Sequence, residues 1–374
     1  SLRTESGSLR FSAGLRFADV AGEALAQDTP LRRLTASSNS VSLLGTQLFL
    51  KAYRRVQPGL NPELELGRYL TDVAGFEHSV PVAGSLEWVD EGGQTWTLAL
   101  LQSQVANQGD AWSSTVDQLL RLLESVDSDG ADPDADIAAM AERMQLLARR
   151  VAQLHIALAQ PHGDPAFEPE PMVAADLAAW CGNEAWPASG DSLVDQVARS
   201  GPALQARIDA VAAAGVPRHL KTRLHGDLHL GQLLVCRDDF LIIDFEGEPQ
   251  RSFDERRTKH SALRDVAGLL RSFDYARHTA LQQTALKAEE MERLAPVAGR
   301  WARRMRADFV RSYAEVAVAG GLYADAAGFA AVQPLLDLFE LEKALYELRY
   351  EIDNRPDWVG VPLAGIHALA LAAN

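Results

Sequence analysis

Two neighbouring stretches carry side chains suited to chemistry. Residues 223–232 read Arg-Leu-His-Gly-Asp-Leu-His-Leu-Gly-Gln, and residues 241–249 read Leu-Ile-Ile-Asp-Phe-Glu-Gly-Glu-Pro. Transfer of a phosphoryl group to a hydroxyl asks three things of a protein. A carboxylate must orient the hydroxyl and accept its proton, oxygen ligands must hold magnesium against nucleotide phosphates, and a lysine must fix those phosphates. Asp227 is the candidate base. Gln232, five residues on, offers an amide oxygen, and Asp244, twelve residues further, offers a hard carboxylate at the end of an apolar run. Oxygen ligands from two adjacent segments suit magnesium, which shares its shell with phosphates and water. Glu246 is the alternate position on the same extended segment and a candidate ligand for a second ion.

The elements around these residues read as follows. The apolar runs 231–236 and 240–245, separated by the polar triplet 237–239, predict a short hairpin. Upstream, 1–40 holds short alternating pieces, 41–44 and 48–53 predict strands joined at Gly45-Thr46, and 80–83, 84–89 and 95–101 predict more. Asn61 followed by Pro62 opens a helix to about Val73, with Asn at the cap and Pro at the first helical position. Downstream, 112–126, 137–160 and 193–214 predict helices, and 161–190 is Pro-rich and loop-like. In the second of these helices Ile137, Met140, Met144, Leu147, Val151, Leu154 and Leu158 recur at helical spacing. From 262 onward the pattern is helical with a break near Gly320-Gly321. A strand-rich first part and a helix-rich second part indicate an α+β fold with two lobes.

Composition bounds the function classes. The 374 residues are 47% apolar and 23% charged, which excludes a disordered chain, a collagen repeat or a coiled-coil rod. The net charge is 36 − 51 = −15. Such a chain is repelled by nucleic acid and by anionic membranes, yet one local cationic site suffices for a nucleotide. Cys181 and Cys236 lack zinc-ligand spacing and suit a reducing cytoplasm, the expected location. No apolar run approaches the ~18 residues of a membrane span. The start, Ser1-Leu-Arg-Thr-Glu5, has neither Met nor a signal-peptide core, so a processed start or a piece of a longer chain is expected. The acidic stretch 127–134 fails the calcium-loop template, because Ala131 and Asp132 stand where a carboxylate and the glycine belong.

His225-Gly-Asp227 with Gln232 resembles the catalytic loop of the aminoglycoside phosphotransferase-like kinases, which have a bilobal protein-kinase-like fold. Asp244-Phe-Glu246 is similar to the kinase magnesium motif, with Glu in place of Gly. The longer string 241–249, with Arg256-Arg257, Lys259 and residues 263–275, resembles the bacterial maltokinases. The resemblance extends over about residues 36–374. It implies transfer of the ATP γ-phosphate to the anomeric hydroxyl of maltose, feeding α-glucan synthesis, with ATP and magnesium as cofactors. It also implies fusion to, or association with, a trehalose synthase. Residues 1–36 would then be a cap remnant or linker, 37–105 a nucleotide-binding N-lobe, and 106–374 a helical lobe for catalysis and sugar binding.

The same resemblance assigns further residues. Lys51 would bind the α- and β-phosphates, with Glu65 as its ion-pair partner and Glu63 as the rival. Ser38, Asn39 and Ser40 would cover the phosphates, and the segment holding Gln102 and Val105 would pair with adenine through its backbone. Tyr346, Tyr350, Arg355 and Trp358 would form the sugar site. His225 would buttress the loop, and Asp265 would anchor it from behind. His229 could face the sugar or simply pack.

A loop aspartate by itself is usually a turn cap; the spacing of Asp227 to Gln232 and Asp244, together with Lys51, singles it out. By default the Tyr346/Tyr350 pair is a packing stripe on a helix. Trp112, Trp180 and Trp186 have no motif around them and read as core or interface. Two alternatives stay open: a kinase for glucosamine, another sugar or an aminoglycoside, and a non-catalytic nucleotide-binding module.

Overall fold

The computed structural model describes residues 1–21, 29–34, 39–129, 131–182, 219–249, 251–284 and 287–371, with positions 206, 209, 210 and 213 between. Trp186 and all but these four positions of the helix expected over 193–214 lie outside the described residues. A seven-stranded antiparallel sheet forms the first lobe. Its strands are β1 (Leu2–Thr4), β2 (Gly7–Ala13), β3 (Leu31–Arg33), β4 (Ser40–Leu44), β5 (Leu48–Ala52), β6 (Val82–Asp90) and β7 (Thr95–Ser103), in the order β1-β2-β6-β7-β5-β4-β3. Gly45, with φ of 60°, makes the β4–β5 turn that the sequence predicts. The two strands expected over 80–89 are one strand whose register against β7 shifts at Val82/Gly84 and at Leu86/Glu87.

The described parts of residues 1–36 join the sheet of the first lobe. Strand β2 pairs along its whole length with β6, from Gly7 opposite Asp90 to Ala13 opposite Gly84. Helix α1 (Phe17–Ala21) packs Phe17, Val20 and Ala21 against Leu48 and Ala83, so this segment is continuous with the sheet of the first lobe.

Helix α2 (Pro62–Arg68) begins where Asn61 and Pro62 place it, the Asn61 side chain accepting from the amides of Glu63 and Leu64. It continues as a π-helical turn over Tyr69–Val73. Glu63 and Glu65 are two residues apart on a helix that turns about 100° per residue, so they point to nearly opposite sides.

The second lobe is helical: α3 (Ala111–Asp129), α4 (Asp134–Leu158), α5 (Ala174–Gly182), α6 (Phe253–Arg257), α7 (Leu263–Thr284), α8 (Ala288–Ala319), α9 (Ala326–Asn354) and α10 (Gly360–Leu371). The expected break at Gly320-Gly321 separates α8 from α9. Trp301, Phe273, Phe309 and Phe339 are fully buried among leucines in the centre of this bundle. The acidic stretch 127–134 is partly helical, and its Asp127 and Asp134 pair with Arg293 and Arg300 of α8. Two strands, β10 (Leu233–Cys236) and β11 (Asp239–Ile242), form the predicted hairpin. A three-stranded ribbon joins β8 (Glu170–Pro171), β9 (Leu220–Thr222) and β12 (His260–Ser261). Among the described residues no helix is long and apolar enough to cross a membrane.

Candidate active site

The hairpin explains the twelve-residue spacing of Gln232 and Asp244. Leu233 stands opposite Ile242, so the residues flanking the pair meet at the open end, where the Ile243 amide donates to the Gln232 carbonyl at 3.0 Å. The Gln232 side chain hydrogen-bonds the Asp244 carboxylate. Asp244 has a φ of 63°, left-handed backbone that is rare outside glycine and costs on the order of 1–3 kcal/mol. Burial would raise its pKa, but the Lys51 ammonium and the Gln232 bond hold it below the usual range.

Asp227 lies on the loop just before the hairpin, and that loop is held from below. The amides of His225 and Gly226 donate to Oδ2 and Oδ1 of Asp265, each at 2.9 Å. Asp265 sits in the first turn of α7, is 2% exposed, and contacts His155 Nε2 at 3.2 Å. Burial opposes its ionisation, yet these donors keep it ionised. His225 Nε2 donates to the Ile243 carbonyl at 2.8 Å, tying the loop to the hairpin. Gly226, at φ 85°, takes a conformation that side chains rarely adopt, and a Cβ there would press on Gly247. His229 caps the short turn ending in Gln232, its Nδ1 accepting from the Gly231 amide at 3.0 Å. His229 is not among the residues lining the cavity described below.

Lys51 projects from the middle of β5, opposite Leu100 on β7 and Val41 on β4. Its ammonium lies 2.9 Å from Glu63, 2.7 Å from Asp244 and 2.6 Å from Glu246. Burial alone would lower its pKa, but the three carboxylates raise it well above the ordinary value. Burial pushes Glu63 upward, and the neighbouring Asp244 and Glu246 add to that while Lys51 opposes it. The expected Lys51–Glu65 pair is therefore corrected to Lys51–Glu63. Glu65, on the other side of α2, accepts from Arg223 at 2.7 Å and from Arg257 Nε and Nη2 at 2.8 and 2.7 Å, linking the sheet lobe to the helical lobe.

The residues expected over the phosphates are partly described. Ser38 lies outside the described residues. Asn39 donates to Glu246 at 3.0 Å, and Ser40 accepts from Arg54 at 3.2 Å. Gln102 stands inside β7, opposite Phe49 on one side and Val82 on the other. Val105 follows the strand, and its carbonyl accepts from Gln104 and Asn107 side chains.

A cavity of about 490 Å³ opens beside Asp227, and its lining comes wholly from the helical lobe. Tyr346 lines it. Tyr350, Arg355 and Trp358 are not among its lining residues. They form a separate cluster in which Arg355 is clamped by the buried Glu351 at 2.8 and 2.6 Å and lies over both rings. Trp358 stacks instead on Tyr275 at 6.0 Å. Trp180, read from sequence as core or interface, lines the cavity, stacked on His260 at 4.2 Å with Phe339 edge-on. Lys343 and Glu248 were missed. The Lys343 ammonium lies 3.2 Å from Asp227 and 3.2 Å from Glu248. One signal was present in the sequence: Lys343 precedes Tyr346 by one helical turn and so shares its face.

No protein-family model matches the chain. It is 28% identical over 285 residues to the glucosamine kinase of Streptacidiphilus jiangxiensis, covering 73% of this chain and 57% of that protein. It is 29% identical over 299 residues to the glucosamine kinase of Mycolicibacterium smegmatis, covering 74% and 67%. The match thus spans little more than half the length of the first of these curated relatives. A solved glucosamine kinase in complex with glucosamine, ADP and inorganic phosphate superposes with a TM-score of 0.72 at 22% identity, over 97% of this chain and 82% of the other. This chain has a protein-kinase-like fold. A second crystal form of glucosamine kinase superposes at 0.68 over 98% and 78% of the two chains, also at 22% identity.

Proposed function

We propose that the chain is an ATP-dependent sugar kinase that phosphorylates a hydroxyl of an amino sugar such as glucosamine. The observation carrying the phosphotransfer reading is a convergence. Lys51, Gln232, Asp244 and Glu246 meet at the open end of the hairpin, and Asp227 stands on the preceding loop at a cavity of acceptor size. Carboxylate oxygens of Glu63, Asp244 and Glu246 lie within 4.8 Å of one another around the Lys51 ammonium, and they are hard donors of the kind magnesium takes. Asp244, Gln232 and Glu246 would hold the ion, which supplies neutralisation of phosphate charge when bound with ATP. Lys51, fixed by Glu63, would bind the nucleotide phosphates. Asp227 would orient the acceptor hydroxyl and receive its proton. Because the transition state of such transfers is loose in most analyses, positioning by the loop and its Asp265 anchor matters more than strong basicity.

The glucosamine kinase relatives support an amino sugar as acceptor ahead of maltose. One observation favours a neutral sugar as the second reading. Three of the five carboxylates lining the cavity, Asp227, Glu248 and Glu342, already face a cation, namely Lys343 for the first two and Arg264 for the third. An acceptor ammonium would compete with those cations. Coupled ADP release with magnesium and ATP tests both, using glucosamine, maltose and glucose as acceptors. Glucosamine-dependent release is expected. Release with maltose alone would favour the second reading, and none with any sugar would refute the kinase.

A further inference from the structure

We propose that Lys343 positions Asp227 for transfer, occupying one carboxylate oxygen so that the other meets the acceptor hydroxyl. The inference rests on the sugar-kinase reading above. Lys343 projects from α9 into the cavity wall, and its ammonium contacts Asp227 through Oδ1 alone, leaving Oδ2 for the acceptor. The same ammonium is held by Glu248 Oε1 at 3.2 Å. Glu248 is 7% exposed and is itself fixed by Arg251. The Tyr346 ring lies 5.1 Å from the ammonium. Glu347, one turn along α9, adds its field and is in turn paired with Arg271 at 2.8 Å.

The ammonium is therefore fixed by more groups than an incidental surface pair would need. Burial alone would lower its pKa, but Asp227, Glu248 and Glu347 raise it above the ordinary value. Glu248 follows Asp244 by four residues, through Gly247 at φ 72°. Lys343 thus ties three parts together: the base loop, the segment leaving the metal-ligand candidate, and the helix that walls the acceptor cavity. A purely apolar contact could hold α9 against the loop, but it could not orient a carboxylate.

The test compares Lys343→Met and Lys343→Arg with the parent, reading kcat, KM for ATP and ATP affinity. Misplacement of a reacting group by about 1 Å costs on the order of 10²-fold, so Lys343→Met is expected to lower kcat by about that factor. ATP affinity should stay within about twofold, because Lys343 touches no nucleotide-site candidate. Lys343→Arg should recover at least about tenfold of the loss, since charge and donors remain. In an Asp227→Asn background, Lys343→Met should cost little further kcat, because the group it positions is gone. A kcat for Lys343→Met within about threefold of the parent, or no rescue by arginine, would overturn the proposal.

A parent without sugar-dependent turnover would refute the kinase reading instead, and thermal melting then decides the clamp. Lys343→Met alone should lower the melting temperature by leaving Asp227 without its cation and Glu248 with Arg251 alone. Asp227→Asn should remove a large part of that loss, whereas additive losses would show that Lys343 does not hold Asp227.

Discussion

Glu63 and Glu65 face opposite sides of one helix, and their substitutions should have opposite signatures. Glu65→Ala removes the carboxylate that accepts from Arg223 at 2.7 Å and from Arg257 at 2.8 and 2.7 Å. Arg223 is 1% exposed, and its Nε and Nη2 already lack hydrogen-bond partners among the described residues. Stripping one partner from a buried pair costs roughly 3–5 kcal/mol. Arg257 is about a third exposed, so its share adds at most about 1 kcal/mol. At roughly 1.3 °C per kcal/mol for a chain of this size, the melting temperature should fall by about 4–8 °C. Nucleotide affinity should change little, because Lys51 keeps Glu63. Glu63→Gln should do the reverse. Its amide can still bond Tyr53, and Asp244 and Glu246 still hold Lys51, so stability stays near the parent's. Lys51 loses its fixed N-lobe partner, and affinity for magnesium-ATP should fall by about tenfold, near 1.4 kcal/mol. Scanning calorimetry with and without magnesium-ATP, together with titration calorimetry, reads both. A Glu65→Ala variant that melts within about 2 °C of the parent would refute the division. So would one that loses more nucleotide affinity than Glu63→Gln.

Asp265→Asn replaces one of two accepting oxygens beneath the base loop with an NH2 that faces a backbone N–H. The loop must shift, and kcat should fall by about 10²-fold at nearly unchanged ATP affinity, measured by steady-state kinetics and ATP titration; an unchanged kcat would contradict the anchoring role. Burial pushes the His219 imidazole from its ordinary 6.5 down to about 4, with Nε2 on Ser261 at 2.7 Å. The unfolded chain therefore takes up this proton first as pH falls, and stability is lost from pH 6.5 down to about 4. Between pH 7 and 5 the loss from this group is about 2 kcal/mol. Urea unfolding at both pH values should show a pH dependence smaller by that amount in His219→Gln; equal dependence in parent and variant would contradict the burial argument.

Local signals carried a long way in this sequence. Asn61-Pro62 marks the start of α2, the triplet 237–239 marks the hairpin turn, and that hairpin is why Gln232 and Asp244 meet. The choice between Glu63 and Glu65 was not legible. Helical geometry says that only one can face Lys51, but which one depends on how α2 is rolled against the sheet, and Arg223 and Arg257 decide that from far along the chain. Lys343 was missed for the same reason: it lies 116 positions from Asp227, and only the packing of α9 brings them together. Tyr346 and Tyr350 share one helix face, but the wall of the cavity ends between them. Arg355 and Trp358 follow Tyr350 into a cluster closed by Glu351 and Tyr275, partners that no local pattern announces. The pairing of residues 7–13 with β6 is equally long-range, and nothing in the short alternating pieces of the N-terminal segment names that neighbour.

The most direct measurement is phosphorus NMR of the parent and of Asp227→Asn with ATP, magnesium and glucosamine. The parent should give ADP and a sugar phosphate in equal amounts. Asp227→Asn should bind ATP as the parent does yet form product at least about 10²-fold more slowly, the usual contribution of a positioned base. Two results would contradict phosphoryl transfer at Asp227: ADP accompanied only by inorganic phosphate, or sugar phosphate formed by the variant at the parent's rate.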